Sequence, residues 1–165
     1  MENKSIYLAY GSNLNLPQMA DRCPTARLIG ASQMKGCKLV FRGLNGQAVA
    51  TVEPCKGKEV PVLLFEITKD DELALDRYEG WPYLYRKEKA KVKLGNKTVE
   101  AMLYVMNEGR PLGQPSLYYY SVIYDGYKAA GFDTDILKKA TEDSFESEDD
   151  ENEGEDYRAN SSNQG

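Results

Sequence analysis

The stretch Tyr7–Leu14, with the letters YLAYGSNL, constrains the fold of this chain more than any other. Residues Ser5–Tyr10 are rich in β-branched and aromatic side chains, which predicts a strand. Gly11 breaks this strand, and the serine and asparagine that follow favour a turn or a helix N-cap. Pro17 then suits the first turn of a helix, because that position has no intrahelical use for its N–H. The chain therefore opens with a strand that enters a helix through a loop of small residues.

This loop has two interpretations. Where a strand stops and a helix starts, several backbone N–H groups lack partners, and such a point suits a carboxylate, a phosphate or a developing oxyanion. The other interpretation is an ordinary connector with good caps, and the loop alone does not decide between them. Nucleotide binding is disfavoured, because the chain has neither a GxxxxGK[ST] nor a GxGxxG motif.

The composition is typical of one soluble globular domain. The chain has 165 residues, of which 41% are hydrophobic, and a mean hydropathy of −0.59. Its first residues show no signal region, and no apolar run reaches the length needed to cross a bilayer. Three cysteines without CxxC spacing favour a reduced protein. We expect a cytoplasmic protein with no membrane partner.

Histidine is absent from the chain. This excludes a Ser-His-Asp or Cys-His nucleophile system, HExxH chemistry and most zinc catalysis. Any acid–base chemistry must therefore use Glu, Asp, Lys, Tyr or Cys, and we expect no metal site.

Negative charge is concentrated at the C-terminus. Ten acidic residues and no basic ones lie between Glu142 and Asp156, whereas residues 1–141 carry 20 basic and 16 acidic side chains. We expect a folded domain over residues 1–142 and an acidic, disordered tail over 143–165. The tail is either a solvated appendage or a partner-binding arm. The body is mildly basic but has no dense Lys/Arg stripe, so nucleic-acid binding is not expected.

The remaining pattern predicts an α+β fold. Further strands are predicted at Ala26–Ser32, Lys35–Arg42, Gln47–Val52, Val60–Ile67, Lys87–Leu94 and Lys97–Val105. Pro54–Lys58 is predicted as a loop and Gly95-Asn96 as a two-residue hairpin turn. Helices are predicted from the Thr68 cap to Gly80, from the Ser116 cap to about Ala130, and over Thr134–Thr141. Strands followed by helices indicate an α+β domain with a mixed, curled sheet.

Glu79 is the candidate acid–base group. It lies at the predicted C-terminal end of a helix, where the macrodipole disfavours a negative charge, and Tyr78, Trp81 and Tyr83 surround it in sequence. The macrodipole and the withdrawal from water by the aromatic neighbours both raise the pKa of a carboxyl toward neutrality. They favour a group that accepts and returns a proton. The alternative is an ordinary surface glutamate in a loop that ends a helix.

Three segments together resemble the gamma-glutamylcyclotransferase-like family, which includes gamma-glutamylamine cyclotransferases and AIG2-like plant proteins. The segments are Tyr7–Leu14 with the Arg-Cys-Pro that begins at Arg22, Leu75–Gly80, and Pro115–Tyr119. They occur in the expected order and the resemblance covers most of residues 5–131. It implies a small, mixed, barrel-like sheet with flanking helices.

The resemblance also implies a reaction. The α-amine of a γ-glutamyl group attacks its own δ-carbonyl, which closes 5-oxoproline and expels an amine or amino acid without a cofactor. Glu79 would be the general acid/base of this step. The implied substrate-binding residues are the backbone of Gly11, Ser12, Asn13 and Leu14, together with Tyr10 and Tyr119. For the two tyrosines, a purely structural role in the core is the alternative.

Two questions stay open at this level. The leaving group depends on whether the substrate is a peptide of the glutathione type, a γ-glutamyl-ε-lysine isopeptide or a γ-glutamyl-protected metabolite, and the loops that would decide match no subgroup. A non-catalytic small-molecule-binding or interaction protein that retains the pocket is the rival function. The sequence does not indicate an oligomeric state.

Overall fold

The computed structural model describes residues 4–145, which form a five-stranded mixed sheet with four α-helices around it. The strands are β1 (Ser5–Ala9), β2 (Arg27–Arg42), β3 (Val49–Ile67), β4 (Tyr85–Leu94) and β5 (Lys97–Met106). The helices are α1 (Leu16–Arg22), α2 (Lys69–Glu79), α3 (Leu117–Ala130) and α4 (134–145), and a 3₁₀ turn spans Ser12–Leu14. The predicted α+β class is confirmed.

The order of strands in the sheet is β2-β3-β1-β5-β4. The short strand β1 is central, antiparallel to β3 and parallel to β5. The sheet is strongly curled, because a Cβ atom placed on Gly30 of β2 would lie 2.6 Å from Cδ1 of Leu94 on β4. These two strands are nevertheless the edges of the described sheet, which is therefore barrel-like in curvature but not closed.

Two long strands replace four predicted short ones. The predicted loop Pro54–Lys58 is wrong, because these residues lie within β3, and the break predicted between residues 32 and 35 is also wrong, because β2 is continuous there. The pairing of β2 with β3 passes from Lys35↔Glu59 to Cys37↔Pro54, so four residues of β3 lie opposite Gly36 alone. Such a bulge keeps both strands continuous while it accommodates proline and positive-φ glycine.

Helix α2 begins and ends where the sequence predicts. The Thr68 hydroxyl accepts a hydrogen bond from the N–H of Asp71, and the Asp71 carboxylate accepts one from the N–H of Thr68, which completes a capping box. The hydroxyl of Thr25 donates to the other carboxylate oxygen over 2.7 Å. Gly80 ends the helix at a φ of 72°. The capping box therefore fixes where α2 begins, and Gly80 fixes where it ends, directly after Glu79.

Helix α3 packs directly on the turn after β1. A Cβ atom on Gly126 would lie 2.7 Å from the carbonyl carbon of Leu14, so this close approach requires glycine. Helix α4 continues to residue 145, past the predicted end at Thr141, and Ser144 is buried against the backbone N–H of Phe41. The rest of the predicted tail, from residue 146 onward, lies outside the described residues. No helix between residues 4 and 145 has the length and apolarity that a membrane span requires.

Candidate active site

A cavity of about 220 Å³ lies where the end of β1, the turn after it, the end of α2 and the start of α3 meet. It is lined by Tyr7, Tyr10, Gly11, Ser12, Asn13, Val49, Ala50, Tyr78, Glu79, Leu84, Tyr85, Tyr104 and Tyr119. Six of the seven residues singled out from the sequence are among them. The exception is Leu14.

Leu14 is fully buried between the turn and α3. Its N–H donates to the carbonyl of Gly11 over 3.0 Å and closes the 3₁₀ turn, so it is not available to a ligand. In contrast, the N–H groups of Ser12 and Asn13 have no hydrogen-bond acceptor among residues 4–145. The first residues of the turn thus line the cavity with unpaired N–H groups, while its last residue packs into the core.

The Glu79 side chain is half-buried and borders the cavity. Burial raises the pKa of this carboxyl from its usual 4.5 to about 7, while the positive charge of Arg22 opposes the increase. Within residues 4–145 the carboxylate makes no hydrogen bond and no ion pair. A carboxyl with this pKa is about half ionised at neutral pH and can both accept and donate a proton.

Six of the thirteen residues that line the cavity are tyrosines. Burial raises the pKa of Tyr7, Tyr10, Tyr85 and Tyr119 well above the usual value, and the nearby charge of Glu79 raises it further. These hydroxyls therefore stay protonated at physiological pH. They provide neutral hydrogen-bonding groups around a single titrating carboxyl.

The hydrogen bonds of these hydroxyls divide them into two groups. Tyr10 donates to the carbonyl of Tyr104, and Tyr85 donates to the carbonyl of Ala50 over 2.6 Å, so both protons are committed. Tyr7 instead accepts from the side-chain amide of Asn13 over 2.9 Å, and Tyr119 accepts from the N–H of Ala50 over 3.0 Å. The protons of Tyr7 and Tyr119 consequently remain free to be donated into the cavity.

Sequence reasoning missed several of the lining residues. Tyr7 lies within the first motif but was not singled out, and Tyr85 falls just before the predicted start of its strand at Lys87. Tyr104 lies on β5 and is buried. The available signal was the number of tyrosines, 12 in the chain. Over residues 4–145 no group of three or more Cys, Asp or Glu residues is arranged to hold a metal ion.

Fold and cavity define a class of protein: a small α+β domain whose cavity combines one carboxyl with a raised pKa, neutral tyrosine hydroxyls and unpaired loop N–H groups. The family model described as gamma-glutamyl cyclotransferase, AIG2-like matches residues 7–124, and the chain belongs to this family. The resemblance inferred from the three sequence segments is therefore confirmed.

Solved structures agree with this assignment. One described as a gamma-glutamyl cyclotransferase superposes with a TM-score of 0.72 and 26% identity, over 84% of this chain and 86% of that one. An uncharacterized human protein superposes with a TM-score of 0.72 and 28% identity, over 84% of this chain and 87% of that one. YkqA from Bacillus subtilis shares the fold, with a TM-score of 0.71 and 19% identity over 84% of this chain and 53% of that one. A search of curated proteins finds no match. Family and fold support an activity of the cyclotransferase type.

Proposed function

We propose that this protein converts a γ-glutamyl amine or γ-glutamyl peptide into 5-oxoproline and a free amine. One observation carries the proposal: the Glu79 carboxyl, with a pKa near 7, borders the same cavity as the free N–H groups of Ser12 and Asn13. A proton acceptor and anion-stabilising donors in one small space are what this cyclisation requires. The family to which the chain belongs supports the same reaction.

The reaction forms one bond and breaks another within a single substrate. The α-amine nitrogen bonds to the δ-carbon, and the amide bond between that carbon and the leaving nitrogen breaks. Glu79 takes a proton from the α-ammonium group so that its nitrogen has a free electron pair, and returns that proton to the leaving nitrogen. Once bonded to the δ-carbon, the attacking nitrogen gives up a second proton, which the same carboxyl transfers to the released amine, so the products are 5-oxoproline and an ammonium ion. Atoms and charge balance without water, redox change or a cofactor, so the protein supplies only positioning and proton transfer.

The geometry suggests how the substrate lies. The N–H groups of Ser12 and Asn13 would bind glutamyl oxygens, and the free protons of Tyr7 and Tyr119 would support the developing oxyanion. The cavity volume of about 220 Å³ is below the range of about 300–1,000 Å³ that is usual for drug-sized ligands. We therefore place the γ-glutamyl group inside and the leaving amine at the rim, beside Tyr78, which is 42% exposed.

We also propose a cytoplasmic location for the protein. All three cysteines, Cys23, Cys37 and Cys55, are unpaired, which supports a reducing and hence cytoplasmic environment.

A panel of γ-glutamyl amines and peptides, assayed for release of 5-oxoproline, tests the activity directly. Glu79→Gln is expected to retain binding and to lose on the order of 10²–10⁴-fold in kcat, because it keeps the shape of the side chain and removes the proton exchange. Glu100→Gln, an exposed residue of β5, serves as the matched control and should retain full activity.

Two results would reject the proposal. Wild-type turnover by Glu79→Gln would remove this carboxyl from the mechanism. Tight binding of γ-glutamyl compounds without release of 5-oxoproline would instead favour the non-catalytic binding protein.

A further inference from the structure

Arg22, the last residue of α1, lies outside the cavity lining but contacts residues that form it. One guanidinium nitrogen donates to Oδ1 of Asn13 over 2.6 Å, and a second donates to Oε1 of Gln18 over 2.8 Å. The guanidinium carbon lies 3.6 Å from the centroid of the Tyr78 ring. The planar fork of this arginine is therefore fixed on three sides, and two of its contacts are cavity residues.

Each of these two contacts continues into the site. Because Arg22 holds the Asn13 oxygen, the amide nitrogen of Asn13 points to the Tyr7 hydroxyl, 2.9 Å away, and leaves the Tyr7 proton free. The Tyr78 hydroxyl in turn shares a hydrogen bond of 2.8 Å with the Ser12 side chain. Arg22 thus links the Ser12–Leu14 turn to the last turn of α2, on which Glu79 lies.

Arg22 also supplies positive charge. The titratable groups that face Glu79 from the elements packed around it are tyrosines: Tyr7 and Tyr10 beside β1, Tyr85 from β4 and Tyr119 from α3. Burial keeps these four neutral. The charge that acts on Glu79 against the effect of burial comes from Arg22.

We propose that Arg22 is a positioning residue of the cyclisation site, which holds the Ser12–Leu14 turn against the end of α2 and places a positive charge near Glu79. The inference rests on the proposed function. It assigns two separable roles to one side chain, a structural link through the planar fork and an electrostatic effect through the charge.

Two substitutions separate these roles. Arg22→Gln removes the charge but keeps an amide that can donate to Asn13, so the acidic limb of the kcat/KM profile should move to higher pH. The ratio of kcat/KM at pH 6 to its plateau value should be about threefold smaller in this variant than in the wild type. Arg22→Lys keeps the charge but lacks the planar guanidinium group. The acidic limb of the kcat/KM profile should therefore stay at the same pH, while KM rises about tenfold. Arg27→Gln on β2, where Arg27 forms an ion pair with Glu66 of β3, is the control and should change neither quantity.

A second readout does not depend on activity. The carboxyl carbon of Glu79, followed by ¹³C NMR in the full chain, should titrate at higher pH in Arg22→Gln than in the wild type and should be unmoved in Arg22→Lys. An unchanged titration and acidic limb in Arg22→Gln, with kcat reduced by one factor at every pH, would overturn the electrostatic role.

An unchanged KM in Arg22→Lys would overturn the positioning role, and this variant decides the question if Arg22→Gln does not fold. Failure of the proposed function has a different signature, because the wild type would then release no 5-oxoproline while the NMR titration would still report on Arg22.

Discussion

Replacing Glu79 by glutamine is expected to stabilise the folded protein at alkaline pH, even though it removes the group on which the proposed activity depends. Burial raises the pKa of this carboxyl from 4.5 to about 7, so the folded chain disfavours a charge that the unfolded chain carries freely. Glutamine has nearly the same shape and no charge. The substitution therefore removes the free-energy cost of holding a charge in the folded protein and leaves the packing at the end of α2 in place.

The size of the effect follows from the pKa shift. Between pH 4.5 and 7 the folded state binds more protons than the unfolded state, so the free energy of unfolding falls as the pH rises through this window. The penalty is absent below the lower pKa and complete above the upper one. At about 1.4 kcal/mol for each pKa unit, it reaches on the order of 3 kcal/mol above pH 7.

Urea denaturation of the wild type and of Glu79→Gln at pH values from about 4.5 to 8.5 measures this difference. The variant should gain stability relative to the wild type as the pH rises, and the gain should level off above the folded-state pKa. Glu100→Gln, an exposed glutamate, should show a small difference that does not change with pH. A flat difference for Glu79→Gln would show that this carboxyl is solvated, and the acid–base argument would fail with it.

Three further outcomes are expected. Ionisation of Glu79 with a pKa of about 7 should make wild-type kcat/KM about tenfold lower at pH 6 than at pH 8, and a flat profile would contradict this pKa. Gly11→Val should abolish substrate binding measured by calorimetry, because a Cβ there lies 3.8 Å from the Tyr119 hydroxyl and the valine methyls extend into the cavity. Gly11→Ala should still bind, and equal affinities of the two variants would reject the steric argument. Gly126→Ala should lower stability by about 1–3 kcal/mol and raise KM, because its Cβ would overlap Leu14, and wild-type thermal unfolding would refute this.

Much of the fold was predictable because the relevant signals are local. The strand before Gly11, the helix cap at Thr68 and the hairpin turn at Gly95 each depend on a few adjacent residues with restricted backbone preferences. The position of Glu79 was predictable for the same reason, since Gly80 determines where α2 ends and so places Glu79 in its last turn. These predictions required no knowledge of distant contacts.

The errors arose where the outcome depends on a distant partner. Pro54 and the residues after it have loop composition, but β2 pairs on both sides of the bulge and holds them in β3. Leu14 belongs to the same motif as Ser12 and Asn13, yet the close approach of Gly126 moves it into the core. Tyr85 reaches the cavity only because β4 and the start of β3 are brought together by the curl of the sheet.

A site without histidine must obtain a neutral pKa from another side chain, and the position of Arg22 shows how this constraint shapes the cavity. A cation in direct contact with Glu79 would return the pKa of the carboxyl to its usual acidic range and would repel the α-ammonium group of the proposed substrate. Tyrosines avoid both effects, because burial keeps their hydroxyls protonated and neutral. Arg22 contacts Asn13 and Tyr78 and forms no ion pair with the Glu79 carboxylate. Its charge therefore moderates the effect of burial on the pKa of Glu79 from a distance. In the proposed mechanism, the combination of a half-buried carboxyl, neutral tyrosines and an arginine that does not contact the carboxylate gives glutamate the proton-exchange range that histidine would otherwise provide.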